Sequence, residues 1–338
     1  MLRFRIIILS SVIAIIVLAF ALLMIGSVDI PADIICDILS GKDVNNEAWT
    51  FIVKESRIPF LCTSALSGAA LAICGLLLQT SFNNPLADPS ILGISTGSSL
   101  GVASVLLLSG GTFFSEVGGY IATLSGALIG ALGVMALLLI FSAFVKNSTM
   151  LLIVGVLISY LASSAISLLN FFSTQEGVHS FVIWGMGNFS GVTLSQLPVF
   201  AVIISIGLIL SILLIKPLNA LLLGARYAEN LGVNLKFMRN SLLLITGMLT
   251  AVVTAFCGPI GFVGLVVPHI SRLLLGTSDH LRLIPTTILL GAIITMLCSL
   301  ISVLPASGLI PINAITPIIG VPVIIFIILN RRKIFYFN

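Results

Sequence analysis

Charged residues are scarce in this chain of 338 residues, where aspartate, glutamate, lysine and arginine together make up only 8%. Soluble globular proteins carry about 25% charged residues, because most of their surface must face water. Hydrophobic residues account for 59% of the chain, and its mean hydropathy is +1.26. The composition therefore excludes a soluble protein of this size and indicates an integral membrane protein, with residues 1–338 forming one membrane domain.

The usual motifs of nucleotide hydrolysis and zinc catalysis are also absent. Gly41-Lys42 is the nearest match to the GxxxxGK[ST] phosphate-binding loop, but the upstream glycine is missing and Asp43 follows the lysine. No HExxH zinc motif occurs. We therefore predict no catalytic residue, no bound metal and no cofactor, so the chain is not expected to be an enzyme in its own right.

Acidic residues are almost missing from the long apolar segments, and the five cysteines are widely spaced. Ion-coupled carriers usually need carboxylates or histidines at membrane depth, so a transporter driven by its own ion gradient is disfavoured. If the protein moves a solute uphill, a separate subunit must supply the energy. The odd number of cysteines and the absence of CxxC spacing favour packing roles over metal binding.

Long apolar runs occupy most of the chain. A run of about 20 apolar residues predicts a membrane-spanning helix, whereas a barrel strand alternates apolar and polar residues over about ten positions. A cleaved signal peptide is the alternative for the first run, which is longer than the usual apolar core of such peptides. We predict an all-α fold with ten spans near 6–26, 58–80, 91–109, 118–145, 150–172, 193–215, 240–257, 259–275, 283–304 and 312–330.

Charges are distributed unequally between the two sides of this topology. With a cytoplasmic N-terminus, only Lys42, Lys54 and Arg57 of the 15 basic residues lie outside. The 11 acidic residues show the opposite bias, since all but three of them face outward. Basic residues collect on the cytoplasmic side of membrane proteins, so both termini are predicted to be cytoplasmic. The longest outer loop, 27–57, is expected to carry a short interfacial helix near 31–40.

Residues 61–75 and 244–258 resemble one another, with 6 identities in 15 positions. They lie in the second and seventh predicted spans, so repeats containing them would have opposite orientations in the membrane. Inverted repeats are typical of transporters, in which the transport path lies between the repeats. The alternative is that two helices rich in small residues are similar by composition alone. Gly126, Gly130 and Gly133 also recur at helical spacing, which predicts close helix packing.

The segment KPLNALLLGARYAENLGVNLKFMR, at 216–239, contains the largest group of basic residues on the predicted cytoplasmic side. Pro217 is expected to open a first short helix and Gly232 to close a second, with apolar residues at helical spacing between them. The pattern predicts an amphipathic helical hairpin. Such a hairpin either docks in a groove of a soluble partner or lies on the lipid surface.

Residues 83–95, NNPLADPSILGIS, form a polar segment with two prolines between two apolar runs. The topology places this segment in the cytoplasm, where it is either an ordinary tight turn or a stiff constriction at the end of the bundle. His269 and Arg272 share a helix face near the cytoplasmic end of the eighth span. They either extend to water as an interface anchor or hold a docking surface together.

Several of these segments together resemble the permease subunits of type II ATP-binding-cassette importers, which take up ferric siderophores, haem and vitamin B12. Many long stretches in the family's order make the resemblance specific, and it covers about residues 50 to 333. The matching stretches are RIP at 57–59, AICGLLLQTSFNNPLADPSILGISTGSSLG at 72–101, LLIVGV at 151–156, WGMGNFSGV at 184–192, PLNALLLGARYAENLGV at 217–233, GPIGFVGLVVPHISRLLLGTSDHLRLIP at 258–285 and IGVPVIIFIIL at 319–329.

The resemblance implies a homodimer in the lipid of the bacterial inner membrane, with two cytoplasmic ATP-binding subunits, a periplasmic binding protein and no nucleic acid. The transport path would lie between the two permease copies. Arg57, or Lys54 in its place, would contact the binding protein. The implied cytoplasmic gate consists of Asn83, Asn84, Pro85, Leu86, Ser148 and Thr149. The implied coupling residues are Pro217, Leu218, Leu223, Gly224, Ala228, Glu229, Leu231 and Gly232.

The chain departs from the family pattern on its outer side. The family often reads R-x-P-R where this chain reads Arg57-Ile58-Pro59-Phe60, so the second arginine is missing. An aspartate and an arginine common near the end of the ninth span are replaced around Cys298–Val303, and a glutamate is absent at Gly308–Pro311. We therefore expect binding-protein docking to depend less on arginine here.

The expected function is import of an iron chelate, haem or a corrinoid by alternating access, driven by ATP hydrolysis in the partner subunits. Two other classes remain open from the residues alone. One is an ion-coupled secondary transporter or channel that acts without an ATPase. The other is a membrane scaffold that transports nothing, which the polar cytoplasmic segments disfavour.

Overall fold

The computed structural model describes residues 2–26, 28–42, 44, 46–109, 117–145, 148–305 and 308–329, and this part of the chain is helical without a β-strand. The all-α prediction is thus confirmed. The helices are α1 (Leu2–Met24), α2 (Ala32–Leu39), α3 (Glu47–Phe51), α4 (Ile58–Ser81), α5 (Ile94–Leu108), α6 (Val117–Phe144), α7 (Ser148–Phe172), α8 (Gln175–Gly185), α9 (Leu197–Leu213), α10 (Ile215–Leu221), α11 (Ala225–Asn230), α12 (Leu235–Cys257), α13 (Val263–Leu275), α14 (His280–Val303) and α15 (Ile312–Leu329).

Six helical segments in the described ranges are long and apolar enough to cross a membrane, and a bent pair makes a seventh. The bent pair consists of α9 and α10, which meet at 53°. Three further apolar helices, α5, α13 and α15, are shorter than a full crossing. The six are Leu2–Met24, Glu47–Ser81, Gly118–Phe144, Met150–Phe172, Leu235–Cys257 and His280–Val303.

The outer loop predicted at 27–57 is largely helical. Helix α2 lies where the short helix was expected. Asn46 then starts α3 by accepting a hydrogen bond from the Trp49 N–H at 3.2 Å, and a π-helical stretch joins α3 to α4 without a break. The segment from Glu47 to Ser81 is therefore one continuous helix. The predicted span 58–80 matches α4, and the helical stretch before it was not predicted because the three charged residues near 54–57 lower the local apolarity.

Helices α5 and α13 begin later than predicted, and both begin beside the middle of the bundle. Gly93 adopts φ 80° before α5, and Phe262 adopts φ 69° before α13, so the chain turns at both positions. Gly264, in the first turn of α13, packs directly on the backbone of Gly75 within α4. A helix that begins inside the bundle needs fewer residues to reach the end of the bundle, which explains why α5 and α13 are short.

Helices α4 and α12 form the centre of the bundle and are largely buried. The Thr250 hydroxyl lies 3.8 Å from Cys74 Sγ, and the Ser67 hydroxyl lies 3.5 Å from Cys257 Sγ. The two pairs correspond to each other in the similarity of 61–75 with 244–258, in which Cys74 aligns with Cys257 and Ser67 aligns with Thr250. These reciprocal contacts show that α4 and α12 cross in antiparallel directions around a local two-fold relation.

Glycines hold α5 and α6 close together. A Cβ atom on Gly101 would lie 1.9 Å from the Gly126 carbonyl oxygen, and one on Gly130 would lie 2.0 Å from the Gly97 carbonyl oxygen. A Cβ atom does not fit at such distances, so these positions accept only the hydrogen of glycine. The two helices therefore pack backbone to backbone. The close packing predicted at Gly126 and Gly130 is confirmed, whereas Gly133 has no neighbour within 4 Å of such an atom.

One end of the bundle brings together the turn at 82–86, the helices α10 and α11, and the loop before α14. His280 at the start of α14 contacts both Asn219 of α10 and Thr80 of α4. Arg3 at the start of α1 reaches the Leu273 carbonyl at 3.4 Å, so the first described residues lie at this end too. We call it the hairpin end of the molecule.

Candidate functional site

The turn after α4 has a defined shape that its two asparagines explain. Asn83 adopts the left-handed conformation, φ 46°, which asparagine tolerates better than most residues. Its N–H donates to the Thr80 carbonyl at 3.3 Å, and the Asn84 N–H donates to the Gln79 carbonyl at 3.1 Å. This pair of bonds is the Schellman pattern that closes a helix C-terminus. Asn83 is therefore the residue that stops α4.

Side-chain hydrogen bonds stiffen the residues that follow. The Asn84 side-chain oxygen accepts from the Leu86 N–H at 3.0 Å. The Asp88 carboxylate accepts from the Ser90 N–H at 2.9 Å and from the Ser90 hydroxyl at 2.6 Å, which starts a 3₁₀ turn at Pro89–Leu92. Short polar side chains that bind their own backbone fix a loop in one conformation. The segment is thus a rigid structure, and its exposed tip consists of Asn83 and Leu86.

Asp88 also joins this segment to α13. Its side chain is buried, and its carboxylate interacts with the backbone N–H of Leu265 in the first turn of that helix. A helix N-terminus carries partial positive charge, which favours a carboxylate at this position. Burial raises the pKa of Asp88 above its ordinary value, and the hydrogen bonds from Ser90 and Leu265 oppose that rise.

His269 and Arg272 hold the turn from the side of α13. The His269 ring nitrogen Nε2 lies 2.8 Å from the Pro85 carbonyl oxygen, and Arg272 donates to the Gln79 side-chain oxygen at 2.6 Å. Both residues are buried, with 2% and 3% of their surface exposed. The interpretation as an anchor that extends to water is therefore wrong, because both side chains are buried and bind groups of α4 and the turn after it. The contacts instead support the other alternative, in which His269 and Arg272 have a structural role.

Ser148 and Thr149 can be placed only by their backbone. They form the first turn of α7, and their side chains fall outside the described part of the chain. The structure therefore places Asn83, Asn84, Pro85 and Leu86 in one turn, and the gate that they are expected to form with Ser148 and Thr149 stays a prediction.

A cleft of about 630 Å³ opens beside this segment. Its wall carries hydroxyl groups from α5 and α7, where Ser95 and Ser99, and Ser163 and Ser167, each stand four residues apart on one helix face. Ser90 closes the wall next to the turn, and no charged residue contributes to the described lining. The cleft can therefore offer many weak hydrogen bonds to a large solute without holding it by charge.

The hairpin predicted at 217–233 is present as α10 and α11. Helix α10 begins at Ile215, so Pro217 lies within its first turn, where the missing N–H costs no hydrogen bond. Gly232 adopts φ 85° after α11, and the Val233 N–H donates to the Ala228 carbonyl at 3.0 Å. This is again a Schellman ending, so the expected role of Gly232 as the helix stop is confirmed.

The predicted coupling residues differ in exposure, and Pro217 is half-buried. Leu218 and Ala228 are completely buried and hold the hairpin on the bundle. The outer surface instead consists of Leu223, Gly224, Arg226, Tyr227, Glu229, Leu231 and Gly232, which are all exposed. Leu223, Tyr227 and Leu231 alone expose 57%, 64% and 62% of their surface. This group, called the hairpin surface below, is apolar at its centre and carries charge at Arg226 and Glu229.

Arg57 and Lys54 lie at the opposite end of the bundle and differ in exposure. Arg57 is buried, with 6% exposed, and its guanidinium donates to the Leu23, Met24 and Val28 carbonyls. The Leu23 and Met24 carbonyls end α1, where helix carbonyls lack partners of their own, and Val28 lies in the loop that follows. Lys54 is exposed. The structure thus gives Arg57 a capping contact inside the chain and leaves Lys54 as the accessible cation of the pair.

Sequence reasoning missed several polar residues of the hairpin end and of the cleft. Thr80, Asn219 and His280 form a buried hydrogen-bonded group described below, although they stand far apart in the sequence. The cleft serines carried a local signal, because hydroxyls four residues apart inside an apolar run mark one polar helix face. Across the described ranges, no three His, Cys, Asp or Glu side chains come together in a way that could hold a metal ion.

The profile of the FecCD transport family matches residues 13–330. The vitamin B12 import system permease protein BtuC of Citrobacter koseri is 37% identical over 282 residues, which are 83% of this chain and 84% of that protein. The protein of the same name from Salmonella paratyphi A is also 37% identical over 282 residues, with the same coverage.

A solved structure is similar over nearly the whole fold. It is described as an inward-facing conformation of a metal-chelate type ABC transporter, and it matches with a TM-score of 0.82 and 30% sequence identity. The match covers 96% of this chain and 99% of that chain.

Proposed function

The chain belongs to the FecCD transport family, and from this premise we propose that it is the membrane permease subunit of an ATP-binding-cassette importer. The family match over residues 13–330 is the observation that carries the proposal. Two cytoplasmic ATPase subunits hydrolyse ATP, a periplasmic binding protein delivers the solute, and this chain provides the path. No bond of the solute is made or broken by the permease.

In this proposal ten helical segments enter or cross the bacterial inner membrane, with both termini in the cytoplasm. Seven segments are long enough to cross, counting the bent pair, and α5, α13 and α15 supply the other three. The hairpin end is the cytoplasmic end, since most of the basic residues outside the spans collect there. The contact of Arg3 with the Leu273 carbonyl supports a cytoplasmic N-terminus.

We extend the local two-fold relation of α4 and α12 to an inverted repeat of the two halves of the chain. The reciprocal contacts of Cys74 with Thr250 and of Ser67 with Cys257 support this extension. In each half a long central helix is followed by a short helix that begins inside the bundle. Repeats of this kind place the solute path at their interface.

A second copy of the chain completes the path. Ser163, Ser164 and Ser167 are exposed on α7, a helix otherwise apolar enough to cross a membrane. A row of hydroxyls facing hydrocarbon would lose its hydrogen bonds to water, whereas a water-filled cleft between two copies satisfies them. Two clefts of about 630 Å³ facing each other would form one larger chamber. The exposed tip at Asn83 and Leu86 would narrow its cytoplasmic exit.

The solute in this proposal is a large metal chelate: a corrinoid, haem or a ferric siderophore. Large chelates present many polar groups and little accessible charge at the metal, which suits an uncharged wall of hydroxyls. A corrinoid is the first compound to test, because two similar proteins are named as vitamin B12 permeases. The ligand that the cognate binding protein retains during purification would distinguish the three.

The hairpin surface is the site where the ATPase subunits dock. Exposed apolar groups at the centre of a charged rim are the usual composition of a protein interface, and they would be unfavourable in water without a partner. We expect Tyr227 to be a central contact, since buried tyrosines dominate the affinity of many interfaces.

Replacement of Tyr227 tests this docking. With Tyr227→Asp, the amount of ATPase subunit that copurifies with the permease should fall at least about tenfold, because a charge would be buried in an apolar contact. Tyr227→Phe keeps the ring and should retain the subunit. If both variants retain it at the level of the unaltered chain, the hairpin surface is not the docking site.

A further inference from the structure

Three buried polar residues connect the hairpin directly to the turn after α4. The Asn219 side-chain oxygen, on α10, accepts from the His280 backbone N–H at 2.8 Å and lies 2.9 Å from His280 Nδ1. On the other side of the ring, His280 Nε2 lies 2.9 Å from the Thr80 hydroxyl. Thr80 in turn accepts the N–H of Asn83 at its backbone carbonyl.

The direction of each hydrogen bond follows from its neighbours. Asp279 can only accept, so the Asn219 side-chain NH₂, 2.8 Å away, must be the donor, and the Asn219 oxygen therefore faces His280. An oxygen that only accepts requires the proton of a neutral ring to be on Nδ1. Nε2 then accepts, and the Thr80 hydroxyl donates to it. One arrangement of protons satisfies the whole chain from Asp279 to Thr80.

Burial makes this group sensitive to movement. His280 is completely buried, and Thr80 is 5% exposed, so water does not replace a broken bond easily. An unpaired polar group in such a place costs much more than one at the surface. A shift of α10 must therefore either carry His280 and Thr80 with it or break the hydrogen bonds to them.

We propose that Asn219, His280 and Thr80 form a positioning relay that transmits movement of the hairpin to the turn Asn83–Leu86. The relay rests on the proposed function, because docked ATPase subunits supply the movement. It ends on Thr80, whose carbonyl holds Asn83 in the left-handed conformation that shapes the turn. A displacement of Thr80 therefore alters the turn at Asn83, where the chain leaves α4.

A second group of contacts holds the same turn from another direction. His269 binds the Pro85 carbonyl, and Arg272 binds Gln79, both from α13. Arg272 also acts electrostatically on His280, so this second group lies next to the relay. In this proposal the relay moves one side of the turn with the hairpin, while the hydrogen bonds from α13 hold the other side. The alternative is that Asn219, His280 and Thr80 form a static staple.

The experiment measures the turn in the complex of this chain with its ATPase subunits. Leu86→Cys places a thiol at the exposed tip, and Cys36→Ser and Cys62→Ser remove the two native thiols that are not fully buried. The rate of maleimide modification is compared with and without Mg-ATP. Thr80→Val removes the hydroxyl at constant shape, and Thr80→Ser restores it.

Thr286→Val is the matched control. Thr286 is also a buried threonine near the start of α14, but its hydroxyl donates to the Arg282 carbonyl of its own helix at 2.9 Å. It lies outside the relay. The unfolding temperature of every variant is measured in parallel, because loss of a static staple would lower that temperature without changing the response to ATP.

The relay predicts that ATP changes the modification rate in the parental complex, in Thr80→Ser and in Thr286→Val. In Thr80→Val this ATP-dependent change should be about fivefold smaller, the factor expected for one lost hydrogen bond. Asn219→Ala should give the same loss and replaces Thr80→Val if that variant does not fold.

Two results would overturn the proposal in different ways. If Thr80→Val and Asn219→Ala keep the full response to ATP while their unfolding temperatures fall, the group is a static staple and the proposed function stands. If the parental complex itself shows no response to ATP, the ATP-driven function fails and the relay fails with it.

Discussion

The left-handed backbone conformation of Asn83 determines the shape of the turn at the proposed exit. Its φ of 46° costs asparagine little, costs glycine nothing and strains a β-branched residue. The two hydrogen bonds that end α4 require this conformation. The polar segment is thus explained first as a helix stop, and its proposed role in a gate builds on that.

We expect Asn83→Val to lower the free energy of unfolding by about 1–2 kcal/mol, because valine must adopt the left-handed conformation. Asn83→Gly keeps the conformation and should leave stability within about 0.5 kcal/mol of the unaltered chain. Thermal unfolding in detergent measures both. Equal stability of the valine and glycine variants would show that the left-handed turn is not what ends α4.

Arg57 is the second residue whose role follows from its contacts. Arg57→Met keeps the length of the side chain but leaves the α1 carbonyls without their donors, so the unfolding free energy should fall by about 2–4 kcal/mol. Lys54→Met removes an exposed charge three residues away and should change stability by less than about 0.5 kcal/mol.

These two variants also separate capping from docking. Affinity for the binding protein should fall in Lys54→Met and depend on salt, since an exposed charge is screened. If Arg57→Met unfolds at the same temperature as the unaltered chain but binds the binding protein more weakly, docking at Arg57 is the correct interpretation.

At the scale of the helix, the glycine contacts determine how closely α5 and α6 approach. Gly130→Ile places a branched side chain against the Gly97 carbonyl and should prevent stable folding of the α5–α6 pair. Gly133 is on the same helix, three residues further on, with no neighbour within 4 Å, so Gly133→Ile is the matched control.

We expect Gly133→Ile to be produced and to elute as a single species in size-exclusion chromatography, whereas Gly130→Ile aggregates or melts at a clearly lower temperature. If both variants elute and melt alike, the close approach of α5 and α6 does not contribute to stability.

The sequence predicted the existence of these helices better than their ends. Apolar runs located all the long spans, and Gly232 marked the end of α11 because a left-handed glycine closes a helix. The start of α4 at Ile58 was predicted, but the helical stretch from Glu47 that leads into it was not, because the charged residues near 54–57 lower the local apolarity. The starts of α5 and α13 follow positive φ values at Gly93 and Phe262. Gly93 offered a local signal, but a phenylalanine in the left-handed conformation is not expected from the sequence.

The candidate site likewise contains features that the local sequence predicts and features that depend on the fold. The turn at Asn83–Leu86 and the hairpin were predictable because proline, asparagine and glycine act locally. The partners of His269, Arg272 and Asn219 were not predictable, because each lies between 60 and nearly 200 residues away in the chain. Long-range polar contacts depend on the fold, and a single sequence does not record them.

At the scale of the whole molecule, the hydroxyl-lined cleft and the scarcity of intramembrane charge favour a path that another subunit must drive. An ion-coupled carrier would need titratable groups at membrane depth. In the described ranges the cleft carries none, since its lining consists of hydroxyl, amide and apolar groups. The energy source is therefore the property on which the proposed function depends most.

The most direct test is uptake into proteoliposomes that contain the permease with its ATPase subunits, using the solute carried by the cognate binding protein. Vitamin B12 is the first solute to load. We expect uptake to require Mg-ATP on the side of the ATPase subunits and to persist when ionophores collapse all ion gradients. Uptake that an ion gradient drives without ATP, and that ionophores abolish, would contradict the account.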